Sequence, residues 1–225
     1  MWNDAVRNLL PAALAVALSP IPIIAIVLVL GTPGARRSGP AFAVGWVVGL
    51  AAVSTLVVVL AAGAGNPKSA MDTSVNWVKV GIAVLFLAMA FRQWQKRPRE
   101  GQETEMPPWM ATLDSVTPRR ALVLGLTLSG ANPKNLALTL AASASIAQAG
   151  LGPADTAVSV AIFVAIGSVT VAGSVIFFLV AADRARAPLA SIKAFMTRHN
   201  AVIMTVVLLV LGLKLLVDGL GGLDR

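Results

Sequence analysis

The chain contains no cysteine and a single histidine, His199. Disulfide frameworks, thiol nucleophiles and cysteine-ligated metals are therefore excluded. One histidine beside Arg198 falls short of the roughly three or four convergent ligands of a zinc site, and no cluster of His, Asp and Glu supplies the rest. It reads as an interfacial residue. Glycine-rich phosphate loops and serine-elbow sequences are missing too. No catalytic residue, metal site or cofactor is expected, and an enzyme is the least supported reading.

Charge is also scarce. Only 12% of the 225 residues are charged while 57% are hydrophobic, and mean hydropathy is +0.81. A soluble domain carries about a quarter charged residues, so this chain has too little polar surface to cover a globule in water. The net charge of +8 does not point to nucleic acid. The basic residues lie between hydrophobic runs, where they set orientation and meet anionic headgroups. The first apolar run has no basic segment before it and no small-residue cleavage site, so it reads as a retained span rather than a signal peptide.

A hydrocarbon core of about 30 Å takes about 20 helical residues. Six stretches reach that length: Leu9–Leu30, Pro40–Gly63, Val75–Trp94, Ala121–Ala149, Thr156–Ala182 and Ala201–Leu220. Trp77, Trp94 and Trp109 fall near their edges, as interfacial tryptophans do, and Lys79 and Arg92 sit where long side chains snorkel. The odd-numbered connections hold Arg36, Arg37, Arg92, Lys96, Arg97, Arg99, Arg119, Arg120, Arg184, Arg186, Lys193 and Arg198. The opposite side holds only Arg7, Lys68, Lys79 and Arg225. The positive-inside rule then puts both termini outside the cytoplasm of a multi-pass protein in a bacterial inner membrane. The charged, helix-poor stretch 95–118 reads as a flexible cytoplasmic linker, with partner docking as the alternative. It separates residues 1–94 from residues 119–225.

Each half holds three spans, so the second inserts upside down relative to the first. Inverted repeats with the substrate site between the halves are a recurring transporter architecture. The predicted fold is an all-α polytopic membrane protein, six transmembrane helices as two inverted three-helix repeats with helices 1 and 4 broken. Corresponding features recur in order. Leu18-Ser19-Pro20-Ile21-Pro22 interrupts span one, and Leu128-Ser129-Gly130-Ala131-Asn132-Pro133 interrupts span four. Gly39-Pro40 and Gly152-Pro153 introduce spans two and five. Proline removes a backbone donor and clashes with the preceding turn. In lipid the freed carbonyls need other partners, so paired breaks point to a transport site; a pair of structural kinks is the alternative. Residues 121–150 would also span about 45 Å as a straight helix, which is explained by strong tilt or, more simply, by a break near Asn132-Pro133.

Lys134 follows that break. Counted from Arg119 and Arg120 it lies about 21 Å into the bilayer by helical rise, where insertion costs about 2.5–3.5 kcal/mol. A lysine at that depth is expected to face the bundle interior, beside Asn132 and Asn135, and to suit an anionic substrate group; snorkelling to the far headgroups is the alternative. Ser19, Pro20, Pro22, Ser129, Asn132, Pro133, Lys134 and Asn135 form the candidate substrate site. Arg36 and Arg37 read equally as headgroup-binding residues and as plain topology signals. Asp155 and Asp183 read as helix-end residues. Lys214 and Asp218, four apart, are placed to pair along one helix face.

Leu18-Ser19-Pro20-Ile21-Pro22, Gly39-Pro40 and Asn132-Pro133-Lys134-Asn135 resemble the LysE superfamily of exporters. Within it the chain is most similar to the GAP branch of glycolipid or peptidoglycolipid addressing proteins, which includes the sulfolipid-addressing proteins. The resemblance covers essentially the whole chain, and Asn-Pro-Lys is its most specific element. It implies six spans in two repeats, a homodimer, and export of lipid-linked or glycolipid material toward the cell envelope. It also implies that Ser19, Pro20 and Pro22 line one side of the pathway and Asn132, Pro133 and Lys134 the other. The expected partners are membrane lipids, with an anionic glycolipid as substrate, and lipid-export machinery. Export of a small solute such as an amino acid is the first alternative. A non-transporting scaffold of a lipid-export complex is the second.

Overall fold

The computed structural model describes residues 2–63, 70–95 and 116–221. Among these, the regular structure is entirely helical, in eight helices. They are α1 (Trp2–Ala17), α2 (Pro20–Leu30), α3 (Ala35–Gly63), α4 (Ala70–Gln95), α5 (Pro118–Gly130), α6 (Pro133–Gln148), α7 (Pro153–Val180) and α8 (Ala182–Leu220). Most of the expected linker (96–115), together with Lys68, Trp109, Arg225 and the side chains of Lys79 and Asp183, lies outside the described residues.

Both expected breaks are present. Span one is two helices, α1 and α2, bent by 40°, and span four is divided between α5 and α6. The local cause is the same at each break. A polar residue with an extended backbone, Ser19 or Asn132, caps a new helix whose first residue is proline. Proline is pre-set for that position, because its missing N–H would have had no helical partner there.

Two elements differ from the hydropathy reading. Helix α3 begins five residues before Pro40, started by bonds from the Arg37 and Ser38 amides to the Gly34 carbonyl. The expected connection between spans five and six is helical throughout, as the first half of α8. Hydropathy marks apolar length, and this segment is a polar helix that continues into an apolar one. At 39 residues α8 is about 58 Å long, nearly twice the hydrocarbon thickness, so only part of it can cross.

Among the described residues three helices are long and apolar enough to cross a membrane: Ala35–Leu60, Pro153–Val180 and Arg184–Leu220. The bent pair α1–α2 makes a fourth when counted as one span. Among the described residues the remaining expected spans do not meet that test alone; α4 offers a shorter apolar helix, Val80–Gln95.

The chain forms two compact units, each drawing on both halves of the sequence. The larger comprises Met1–Ala61 with Glu105–Arg198. Within it α1 packs on α6 and α7, and α2 packs on α5 and α7. Helices α3 and α5 approach closely through glycines. A Cβ on Gly45 would collide with the Leu122 carbonyl, and one on Gly125 with the Phe42 carbonyl. Small residues of this kind let helix backbones meet where lipid offers no hydrophobic drive to pack. The Trp46 indole, fully buried, donates to the Gly167 carbonyl at 3.3 Å and ties α3 to α7.

The smaller unit comprises Ala62–Thr104 with His199–Arg225. There Gly212 of α8 faces Leu87 and the Ala83 carbonyl of α4, with a hypothetical Cβ 3.0 Å from Leu87. Lys214 pairs with Asp218 at 2.6 Å along one face of α8, as their spacing predicts.

Candidate functional site

Each helix break leaves carbonyls at the end of one helix with no amide to receive. In α1 the partners are all accounted for. The Leu18 amide bonds the Leu14 carbonyl at 2.9 Å, and the Ser19 amide bonds Val16 at 3.1 Å. The Lys134 ammonium donates to the Ala15 carbonyl at 3.2 Å, and the Thr170 hydroxyl of α7 donates to Ala17 at 2.6 Å. A lysine from α6 and a threonine from α7 thus complete the last turn of α1. Positive charge at this position also complements the negative end of the α1 dipole.

The Lys134 side chain is only 5% exposed. It faces the interior of the helix packing, as expected. Its ammonium also donates to the Ser19 hydroxyl at 3.2 Å. That hydroxyl in turn donates to the Asn135 amide oxygen at 3.1 Å. The Asn135 amide nitrogen then donates to the Leu128 carbonyl at 2.9 Å, near the end of α5. A continuous polar chain therefore runs from the end of α1, through the start of α2, to the end of α5. No described carboxylate pairs with Lys134, so the buried charge is held by neutral groups alone, with two acceptors for its three N–H donors.

The predicted site residues do not all converge. Ser19, Lys134 and Asn135 meet directly. Pro20 and Pro22 are buried in the first turn of α2. Asn132 serves its own helix instead, its side chain accepting the Lys134 backbone amide at 3.1 Å and capping α6. Pro133 is exposed. Ser129 is buried elsewhere, bonded to the Leu126 carbonyl at 3.1 Å and set against Gly49 of α3. Arg36 and Arg37 are both exposed.

Sequence reasoning missed the carbonyls of Ala15, Ala17 and Leu128, since any residue type carries one. It also passed over Thr170, whose only signal is a hydroxyl deep in an apolar span.

A second feature lies at the far end of α2. A cavity of about 780 Å³ opens where α2 ends and the α2–α3 turn meets the junction of α7 and α8. Arg36, Arg186 and Lys193 line it together with Leu30, Phe178 and Leu189.

The family model of Sap, the sulfolipid-1-addressing protein, matches residues 9–221. The chain belongs to this sulfolipid-1-addressing protein family. The match takes in both helix breaks, the Lys134 cluster and the cavity, and it bears out the sulfolipid-addressing resemblance of the sequence motifs. With its long apolar helices, the chain is a membrane protein of a lipid-addressing family. No curated protein and no solved structure matches it.

Proposed function

We propose that the protein is a transporter or flippase that exports an anionic glycolipid or lipid-linked sugar toward the cell envelope. The observation that carries this reading is the buried Lys134 ammonium, without a described carboxylate partner, where two helix breaks meet. The α2 and α6 half-helices begin beside it, so their positive dipole ends add to the ammonium. Such a point favours a sulfate, phosphate or carboxylate passing at mid-depth.

The architecture we propose around it is a six-span inverted repeat in a bacterial inner membrane, with α4 and the α5–α6 pair completing the spans and both termini outside the cytoplasm. The packing supports a repeat. Helix α1 meets α6 while α2 meets α5, and α1 meets α7 while α3 approaches α5. The spacing from Pro20 to Pro40 also equals that from Pro133 to Pro153. The homodimer, the lipid-export machinery as partner, the wider LysE and GAP placement and the absence of catalysis belong to the same proposal.

The test is lipid export from cells carrying Lys134→Met at matched expression and folding. Export is expected to be lost; unchanged export would sink the site assignment.

A second reading has an observation of its own. Lys134 already completes the α1 end, so it can act as a fastener in a protein that scaffolds a lipid-export complex without moving lipid itself. Lys134→Met would then lower thermal stability while export per folded molecule stayed the same.

A further inference from the structure

We propose that the cavity at the end of α2 is a docking vestibule for an anionic lipid. Arg36, Arg186 and Lys193 would hold its phosphate or sulfate ester, and the wall of Leu30, Phe178 and Leu189 would receive the start of its chains. The proposal rests on the export reading above for its occupant being a lipid rather than a free ion.

The lining is two-faced. Three cations come from two separate elements, Arg36 from the start of α3 and Arg186 and Lys193 from α8, and no described carboxylate is among the lining residues. Buried Leu30, Phe178 and Leu189 make the apolar part. A soluble anion needs the first set alone; a lipid needs both.

The first part of α8 is shaped for this. Ala182, Arg186, Leu189, Ala190 and Lys193 all line the cavity, and their spacing of three and four residues places them on one helix face. Arg186 and Lys193 are two turns apart on that face, with Leu189 and Ala190 between them. Arg184 is exposed and does not line the cavity.

Depth fits as well. Helix α2 runs from the Ser19 break to the cavity in 11 residues, about 16 Å. That is close to half of the roughly 30 Å hydrocarbon core. With the break at mid-depth, the cavity lies at the membrane–water boundary, where headgroups are. The same face carries the start of α5, since the Ser38 hydroxyl donates to the Val116 carbonyl at 2.9 Å. An anionic headgroup gathered there would have one short helix to follow to Lys134.

The test uses the full chain, purified and delipidated, then offered an equimolar mixture of phosphatidylglycerol and phosphatidylcholine, with retained lipid read by native mass spectrometry. Phosphatidylglycerol is expected to be retained preferentially. Each of R36Q, R186Q and K193Q should weaken its retention about fivefold, the worth of one cation near a charged headgroup. R186K should keep most of it, and R184Q should match the wild type. Equal loss in R184Q and R186Q would mean diffuse surface charge and would overturn the vestibule. Displacement of the lipid by glycerol phosphate at the same concentration would show a free-anion site and overturn the lipid assignment. Export, measured separately in cells, distinguishes the two proposals. Normal binding with no export by the wild type refutes the transport reading and leaves the vestibule standing. Normal export by the wild type, with phosphatidylglycerol retention unchanged in all three cation variants, does the reverse.

Discussion

Ser19 and Asn135, 116 positions apart, are joined by a buried hydrogen bond of 3.1 Å that links the first helix break to the second. Ser19 ends one interrupted span and begins its second half. Asn135 stands in the first turn after the other interruption and reaches back to the Leu128 carbonyl before it. Each break therefore satisfies part of the other, and several consequences can be measured.

Replacing Lys134 by methionine removes a buried charge whose insertion costs about 2.5–3.5 kcal/mol. It also orphans the Ala15 carbonyl, at about 1–3 kcal/mol. The two effects oppose, so unfolding free energy should fall by no more than about 0.5 kcal/mol and can rise by up to about 2.5 kcal/mol while export is lost. Thermal unfolding in detergent beside an export assay checks the split. A large fall in stability with export per folded molecule preserved would favour the fastener reading.

Asn135→Leu should be more damaging to the fold than its single position suggests. The Leu128 carbonyl and the Ser19 hydroxyl both lose a partner inside the bundle, and no charge is relieved in exchange. A loss of about 2–3 kcal/mol is expected, read as a lower denaturation midpoint. Wild-type stability in this variant would show that water or a rearranged side chain replaces the amide.

Thr170→Val tests the bracing of α1 from α7. Only the bond to the Ala17 carbonyl is removed, and hydrogen bonds between membrane helices average about 0.6 kcal/mol, with a maximum near 1.7. A small destabilisation within that range is expected from unfolding measurements. A loss above about 3 kcal/mol, beyond that maximum, would mean that the break depends on this hydroxyl far more than its single bond implies.

Gly125→Ala asks whether the α3–α5 approach is as close as the packing shows. The added methyl meets the Phe42 carbonyl and the Trp46 amide nitrogen, both backbone, so no side-chain rotation relieves it. Overpacking of this kind costs about 1–3 kcal/mol, whereas Gly81→Ala, with open space around it, should be neutral or slightly stabilising in its helix. Equal behaviour of the two variants in a thermal melt would refute the close approach.

The all-helical class and both helix breaks were legible because capping residues, prolines and hydropathy act locally. Pro20 and Pro133 each follow a polar residue, Ser19 or Asn132, that starts a new helix, and the i, i+4 spacing of Lys214 and Asp218 needs only a helix to bring them together. The first half of α8 was less legible, since an exposed polar helix and a connection have similar hydropathy. The role of Asn132 was harder to read for a different reason. A residue next to a proline break has a strong local use as a cap, and its side chain takes that role by accepting the Lys134 backbone amide.

The sequence by itself determined that this is a membrane protein, where two of its spans break, and that a lysine lies deep within the apolar part. These follow from composition and backbone chemistry within a few residues. Only the tertiary structure decided what the lysine touches, that Ser129 stands apart from it, and that Arg36 shares a cavity with Arg186 and Lys193. Those outcomes depend on which helix ends meet, and the partners there are mostly main-chain carbonyls, which every residue carries alike and no sequence pattern can mark.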